Sequence, residues 1–157
     1  MTDVLDLIPP GELLARPDLA EQALEGLVRA GSYRAVEPMH CRVAVADLWS
    51  EREARIDQLL FGEVFDVRER RDGRAWGRAR RDGVVGWVVT DNLSPGAPLA
   101  TRRVASVSAA LPLNALVGDD AGAVSEADLE PIGDFERDPV AIAERLLGRP
   151  HALGARS

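Results

Sequence analysis

Two tripeptides, Arg71-Asp72-Gly73 and Arg81-Asp82-Gly83, stand ten residues apart between runs rich in β-forming residues. Asp-Gly supplies the two positive φ angles that a type I′ turn needs, so each tripeptide predicts a tight hairpin. The runs they separate are Val64-Phe65-Asp66-Val67, Ala75 to Arg80 and Val84 to Val89. Upstream, Cys41, Val43 and Val45 alternate with Arg42, Ala44 and Ala46, and Leu59-Leu60-Phe61-Gly62 follows an irregular polar loop from Ser50 to Asp57. A meander of short twisted strands within about fifty residues is the mark of a small barrel. Aromatic residues make up only 4% of the chain, so Trp76 and Trp87 are expected to fill the core of that barrel.

Charge and cysteine content exclude several functions. The 157 residues carry a formal net charge of −7, and all 19 basic residues are arginine. A general nucleic-acid binder is not expected from that balance. Cys41 has no disulfide partner, and Cys41, His40 and His151 cannot assemble a zinc cluster, so neither a metal nor another cofactor is implied. Met1 to Leu14 has three acids and no basic residue, unlike the start of a secretory signal, and no apolar run approaches membrane-spanning length. The expected compartment is the cytoplasm, away from membranes. Between positions 68 and 81 seven arginines oppose two acids, whereas eight acids between 111 and 138 oppose Arg137 alone. The simplest expectation is that these two segments pack near each other.

The remaining stretches flank the meander. Pro9, Pro10 and Gly11 close a leader. Pro17 to Ala30 then reads as a helix, with Pro17 at its first position, Gly31 after its end and an apolar stripe of Leu19, Ala23, Leu24, Leu27 and Val28. After the meander, Gly122-Ala123-Val124 leads to Leu129 at the separation by which Gly86-Trp87-Val88 leads to Leu93. This echo is either a shortened second barrel or a chance match of small residues. Asp138-Pro139 opens a last helix with Val140, Ala143, Leu146 and Leu147 on one face and Gly148 and Pro150 at its end. The tail from His151 to Ser157 offers nothing that would order it alone.

Three blocks now carry a family resemblance: Gln58-Leu59-Leu60-Phe61-Gly62-Glu63-Val64, Ala75-Trp76-Gly77 and Asp82-Gly83-Val84-Val85-Gly86-Trp87-Val88. In this order and spacing they resemble the first bacterial SH3-like domain of NlpC-type cell-wall cysteine peptidases. Arg102-Arg103-Val104 is similar to the entry of that family's second SH3-like domain, and Val140 to Pro150 to the helix that leads into its peptidase domain. The resemblance implies a mainly β architecture with an N-terminal and a C-terminal helix. Residues 1–37 would be a leader with a helix at about 17–30, 38–97 a first SH3-like barrel, 98–133 an abbreviated second unit, and 134–157 a linker helix.

The family's Pro-Tyr-Leu-Trp-Gly-Gly stretch is here Pro150-His151-Ala152-Leu153-Gly154, and its Asp-Cys-Ser-Gly nucleophile motif would fall beyond Ser157. No catalytic residue is therefore expected on this chain. Cys41 should be a buried structural thiol, since its neighbour His40 points to the opposite face of a strand and cannot serve it as a base. Binding remains. The resemblance implies that a loop spanning Asp47 to Asp57 helps recognise the free N-terminal L-alanine of a murein peptide. From that loop Trp49, Glu53, Arg55 and Asp57 are the candidate ligand contacts, beside Glu51 and Arg52. The expected role is a non-catalytic targeting and specificity region of a γ-D-glutamyl-diaminopimelate peptidase. Its partners would be a murein peptide or the peptidase domain, and the apolar face of the last helix could add self-association. The alternative is a stand-alone SH3-like adaptor for a protein or peptide partner.

Overall fold

The computed structural model describes residues 13–119, 122 and 124–156. The leader that closes at Gly11 and Ala123 of the echo lie outside the described residues. Seven antiparallel strands form the main sheet: β3 (Glu37–Cys41), β4 (Val45–Trp49), β5 (Arg55–Leu60), β6 (Val64–Arg71), β7 (Arg74–Ala79), β8 (Val85–Val89) and β9 (Leu93–Pro95). Their spatial order is β5-β4-β8-β7-β6-β3-β9. Every strand sends apolar side chains into one cluster: Met39, Cys41, Ala46, Leu48, Leu59, Phe65, Val67, Ala75, Ala79, Val88 and Leu93. A sheet whose seven strands all face a single cluster must curl around it, and the result is a small SH3-like β domain.

The first Asp-Gly forms the expected turn. Arg71 pairs with Arg74, and Asp72 and Gly73 both have positive φ, at 51° and 74°. The second differs. Only Gly83 has positive φ, the connection runs from Arg80 to Val84, and Gly83 N–H donates to Ala79 C=O. That wider turn leaves Asp82 close to Glu63 and Arg156, as the charges below require.

Trp76 and Trp87 do not fill the barrel. Alternation along β7 and β8 turns Ala75, Ala79 and Val88 inward and the two indoles outward. There they pair across the strands, Trp76 opposite Trp87 and Trp87 opposite Trp49. Leu14 and Leu19 close over Trp76 and Trp87 to make a second cluster.

That outer face also explains why residues 17–30 are not a helix. The chain instead makes β1 (Ala20–Glu21), a 3-10 turn (Gln22–Leu24) and β2 (Tyr33–Arg34), with β1 and β2 paired in parallel. Gly26 takes φ of 84°, which interrupts the helical path, and helix propensity is poor at an internal glycine in any case. Leu19 alone of the expected stripe is buried, and Leu27 is exposed. Tyr33 Oη donates to Val28 C=O and accepts from Ala30 N–H, which fixes the irregular path.

A three-stranded sheet follows, of β10 (Arg102–Val104), β11 (Leu116–Val117) and β12 (Leu129–Pro131), with β10 in the centre. The sequence echo has a structural counterpart. A 3-10 turn precedes the three-residue strand in both places, Thr90–Asn92 before Leu93–Pro95 and Glu126–Asp128 before Leu129–Pro131. The sheet's core joins Val104, Ala115 and Val124 to Leu60 of the barrel. Consecutive leucines are thus buried on opposite faces of β5, Leu59 in the barrel and Leu60 against the second sheet. Phe61 C=O accepts from Leu116 N–H at 2.8 Å, and a Cβ on Gly62 would meet Leu116 O at 2.1 Å.

The last helix, α1 (Pro139–Arg145), opens as expected, with Asp138 accepting from Val140 and Ala141 N–H. Its expected apolar face is turned to solvent: Val140, Leu146 and Leu147 are exposed. Ile142 instead lines a small cavity that Phe135 and Val107 also line. No helix among the described residues is long and apolar enough to cross a membrane.

The tail corrects the expectation of disorder. Arg156 donates to both oxygens of Glu63, at 2.7 and 2.9 Å, and to Gln58 C=O. Its backbone N–H reaches Gln58 Oε1, and Arg55 Nε donates to Leu153 C=O. The composition of the tail gave no sign of this, because its anchor is a buried acid far away in the chain. No ion pair joins the two charge-rich segments among the described residues. The hairpin arginines pair within their own neighbourhood, Arg70 with Glu37, Arg74 with Glu53, Arg78 with Glu21, Arg80 with Asp66 and Arg81 with Glu63. The later acids pair with Arg102, Arg103 and Arg145.

Candidate functional site

The polar stretch expected to be a long loop is mostly strand. Trp49 and Arg55 are a closing pair of β4 and β5, and Leu48 opposes Asp57, so only residues 50–54 form the turn. Ser50 shapes it. Its N–H donates to Ala54 C=O, and its hydroxyl accepts from the N–H groups of Arg52 and Ala54. Glu53 is held at φ of 58°.

This geometry separates the four candidate contacts. Trp49 and Arg55 line a shallow cleft of about 420 Å³ with Asp47 and Gln58, where Arg55 lies 3.7 Å from Asp47. Glu53 faces a different cleft, of about 370 Å³. Asp57 lies beneath the tail with its Oδ2 buried and without a hydrogen-bond partner among the described residues. Burial raises its carboxyl above the ordinary range, and Asp82 nearby adds to the rise. Arg156 stands 4.0 Å away, so the tail covers Asp57.

The 370 Å³ cleft is lined by Ser50, Glu51, Glu53, Arg71, Asp72, Arg74 and Trp87. Two turns build it: the Ser50–Ala54 turn brings the glutamates, and the Asp72-Gly73 hairpin brings the arginines. Trp87 forms the wall between them, and its Nε1–H donates to Glu51 Oε1 at 2.9 Å. The Arg71 guanidinium sits 4.9 Å from the Trp87 ring centroid, and Arg16 lies 4.2 Å from that of Trp76. Arg16 also pairs with Glu69 and approaches Glu51 at 3.6 Å. Arg74 approaches Glu53 at 3.6 Å. The Glu51 and Glu53 carboxylates suit an ammonium group, and the Arg71 and Arg74 guanidinium groups suit a carboxylate.

Neither histidine nor cysteine lines this cleft, and the Ser50 hydroxyl is committed to its turn. Cys41 is fully buried inside the barrel, where its Sγ donates to Val43 C=O. Burial pushes this thiol up to about 11. His40, on the other face of β3, contacts Gly96 C=O.

The recurring motif residues hold the frame. Leu59 and Leu60 fill the two cores, and Phe61 and Gly62 contact the second sheet. Glu63 is buried, accepting from Leu60 N–H, Arg81 and Arg156. Gly86 packs beneath Trp49 C=O, and Trp76 and Trp87 form the aromatic face. Arg71 and Arg74 read in the sequence as part of a charged run. Strand parity was the available signal, since it places Arg74, Trp76 and Trp87 on the outer face together.

The family model of the bacterial dipeptidyl-peptidase Sh3 domain matches residues 50–93. That span contains both turns and all seven residues lining the cleft. The matched domain belongs to a binding and targeting type of module. No curated protein and no solved structure matches the chain.

Proposed function

We propose that the barrel is a non-catalytic recognition region of a cytoplasmic murein-peptide cysteine peptidase of the NlpC type. In this reading the cleft between Glu51, Glu53 and Trp87 receives the free ammonium end of the peptide, and Arg71 and Arg74 face its carboxylates. The observation that carries the reading is the overlap just described: every residue that lines the zwitterionic cleft falls within the matched span. The candidate contact Glu53 stays in this site, and Glu51 and Trp87 join it. Trp49, Arg55 and Asp57 act beside it or under the tail.

The test is a titration of the protein with L-Ala-γ-D-Glu-diaminopimelate, followed through the indole N–H signals. The signal of Trp87, tied to Glu51, should move saturably and further than those of Trp49 and Trp76. Saturable binding that leaves Trp87 unmoved would place the ligand elsewhere and overturn the assignment.

A further inference from the structure

Arg68 is the extra residue of a β-bulge. Val67 pairs with Gly77 and Glu69 with Trp76, so Arg68 has no partner in β7. Bulges redirect a side chain out of the strand's alternation. Here the redirected guanidinium is buried, with 5% of the residue exposed. Nη1 donates to Arg34 C=O. Nε and Nη2 are buried and have no hydrogen-bond partner among the described residues. These two form one edge of the guanidinium, with parallel N–H bonds spaced to meet both oxygens of a carboxylate or phosphate.

The surrounding acids are committed to other cations. Glu21 pairs with Arg78 at 3.2 Å, Asp66 with Arg80 at 2.6 Å, Glu37 with Arg70 at 2.7 Å, and Glu69 with Arg16. Arg34 and Arg68 have no ion-pair partner among the described residues and lie together in a cleft of about 300 Å³. Burial lowers the basicity of the Arg68 guanidinium. Glu21 and Asp66 act on this cation through space without bonding to it, so its bidentate edge keeps the geometry to receive an oxyanion.

We propose that the Nε–Nη2 edge of Arg68 is the receptor of an oxyanion site, binding a carboxylate or phosphate group with Arg34 as its second positive charge. Arg34 and Arg70 line the same cleft, as do Glu37 and Glu69, whose carboxylates are paired with Arg70 and Arg16. This cleft shares no lining residue with the Glu51–Trp87 cleft, so the two sites stand or fall separately.

The experiment follows the Nε–H resonance of Arg68 in the full chain, assigned by its loss in Arg68→Lys, during titration with inorganic phosphate, acetate and chloride at matched ionic strength. A saturable shift with phosphate or acetate and none with chloride is expected, and the tighter of the two identifies the ligand group. Arg34→Gln should weaken it on the order of threefold. The melting temperature should rise with the effective oxyanion over chloride, and Arg68→Lys, which keeps the charge but loses the paired edge, should abolish that rise. A response equal to that of chloride in the unsubstituted chain overturns the proposal, whether or not the Arg68 variants fold.

Discussion

Arg156 and Glu63 meet as a two-point pair, guanidinium to both carboxylate oxygens, across 93 residues of sequence. Glu63 is 2% exposed at its side chain, and it also accepts from Arg81 and from Leu60 N–H. The pair lays the tail over β5, where Gly154 passes so close that a Cβ would meet the Ile56 carbonyl carbon at 2.8 Å. Arg156→Ala should cost about 1–3 kcal/mol, moderated by the remaining Arg81 contact, and should open the tail to proteolysis. Limited digestion and chemical denaturation measure the two effects. A tail equally protected in both forms would contradict the pairing.

The same acid gives a pH dependence with a definite sign. Burial, the largest influence, raises the Glu63 carboxyl above its ordinary 4.5 despite the Leu60 N–H and the Arg156 charge. The folded chain therefore holds this proton more tightly than the unfolded chain does. Stability from this group is complete below 4.5 and is lost as pH rises through the folded value. Glu63→Gln keeps an oxygen for Leu60 N–H but cannot ionise. Between about pH 7 and about pH 4, the melting temperature of the unsubstituted chain should gain on that of Glu63→Gln as pH falls. The opposite slope would mean that ion pairing outweighs burial at Glu63.

Gly62 is one of the contacts between barrel and second sheet, beside Leu60 and Phe61. Its φ of 80° and the 2.1 Å approach to Leu116 O mean that Gly62→Ala adds a clash to backbone strain. Thermal melts should show a loss of about 2 kcal/mol or more. Gly73→Ala, also at positive φ but with open space around it, should lose only about 1 kcal/mol. Equal losses would remove the packing term.

Cys41 is enclosed by the barrel, and burial pushes its thiol up to about 11, which lowers the reactive thiolate fraction further. Iodoacetamide should label it only when denaturant is present, and native labelling at the rate of a free thiol would show that the strand around it opens.

The barrel was legible because its signals are local: alternating apolar residues, Asp-Gly at the Asp72 turn, and the Leu59-Leu60 pair whose two faces are both buried. The cap at Asp138 was legible for the same reason. Residues 17–30 were misread because helical spacing of Leu19, Leu24, Leu27 and Val28 says nothing of what Gly26 and the outward-facing Trp76–Trp87 pair, buried under Leu14 and Leu19, impose on the chain. The polar loop was overestimated because Asp57 is polar yet buried in a strand, held among Asp82 and Arg156 that only the fold brings near. The candidate cleft was half visible: its glutamates lie in one turn, but Arg71 and Arg74 come from a hairpin whose approach depends on the order of β4, β8 and β7. Arg68 was hidden entirely, since a bulge at one residue leaves no mark in a run of arginines.

The most direct test of the recognition role is the calorimetric affinity of the chain for L-Ala-γ-D-Glu-diaminopimelate against the same peptide acetylated at its amino group. The ammonium site at Glu51 and Glu53 predicts that acetylation weakens binding on the order of tenfold or more, and that Glu51→Gln together with Glu53→Gln removes most of that preference. Equal affinity for the free and the acetylated peptide, or no binding of either, would contradict it.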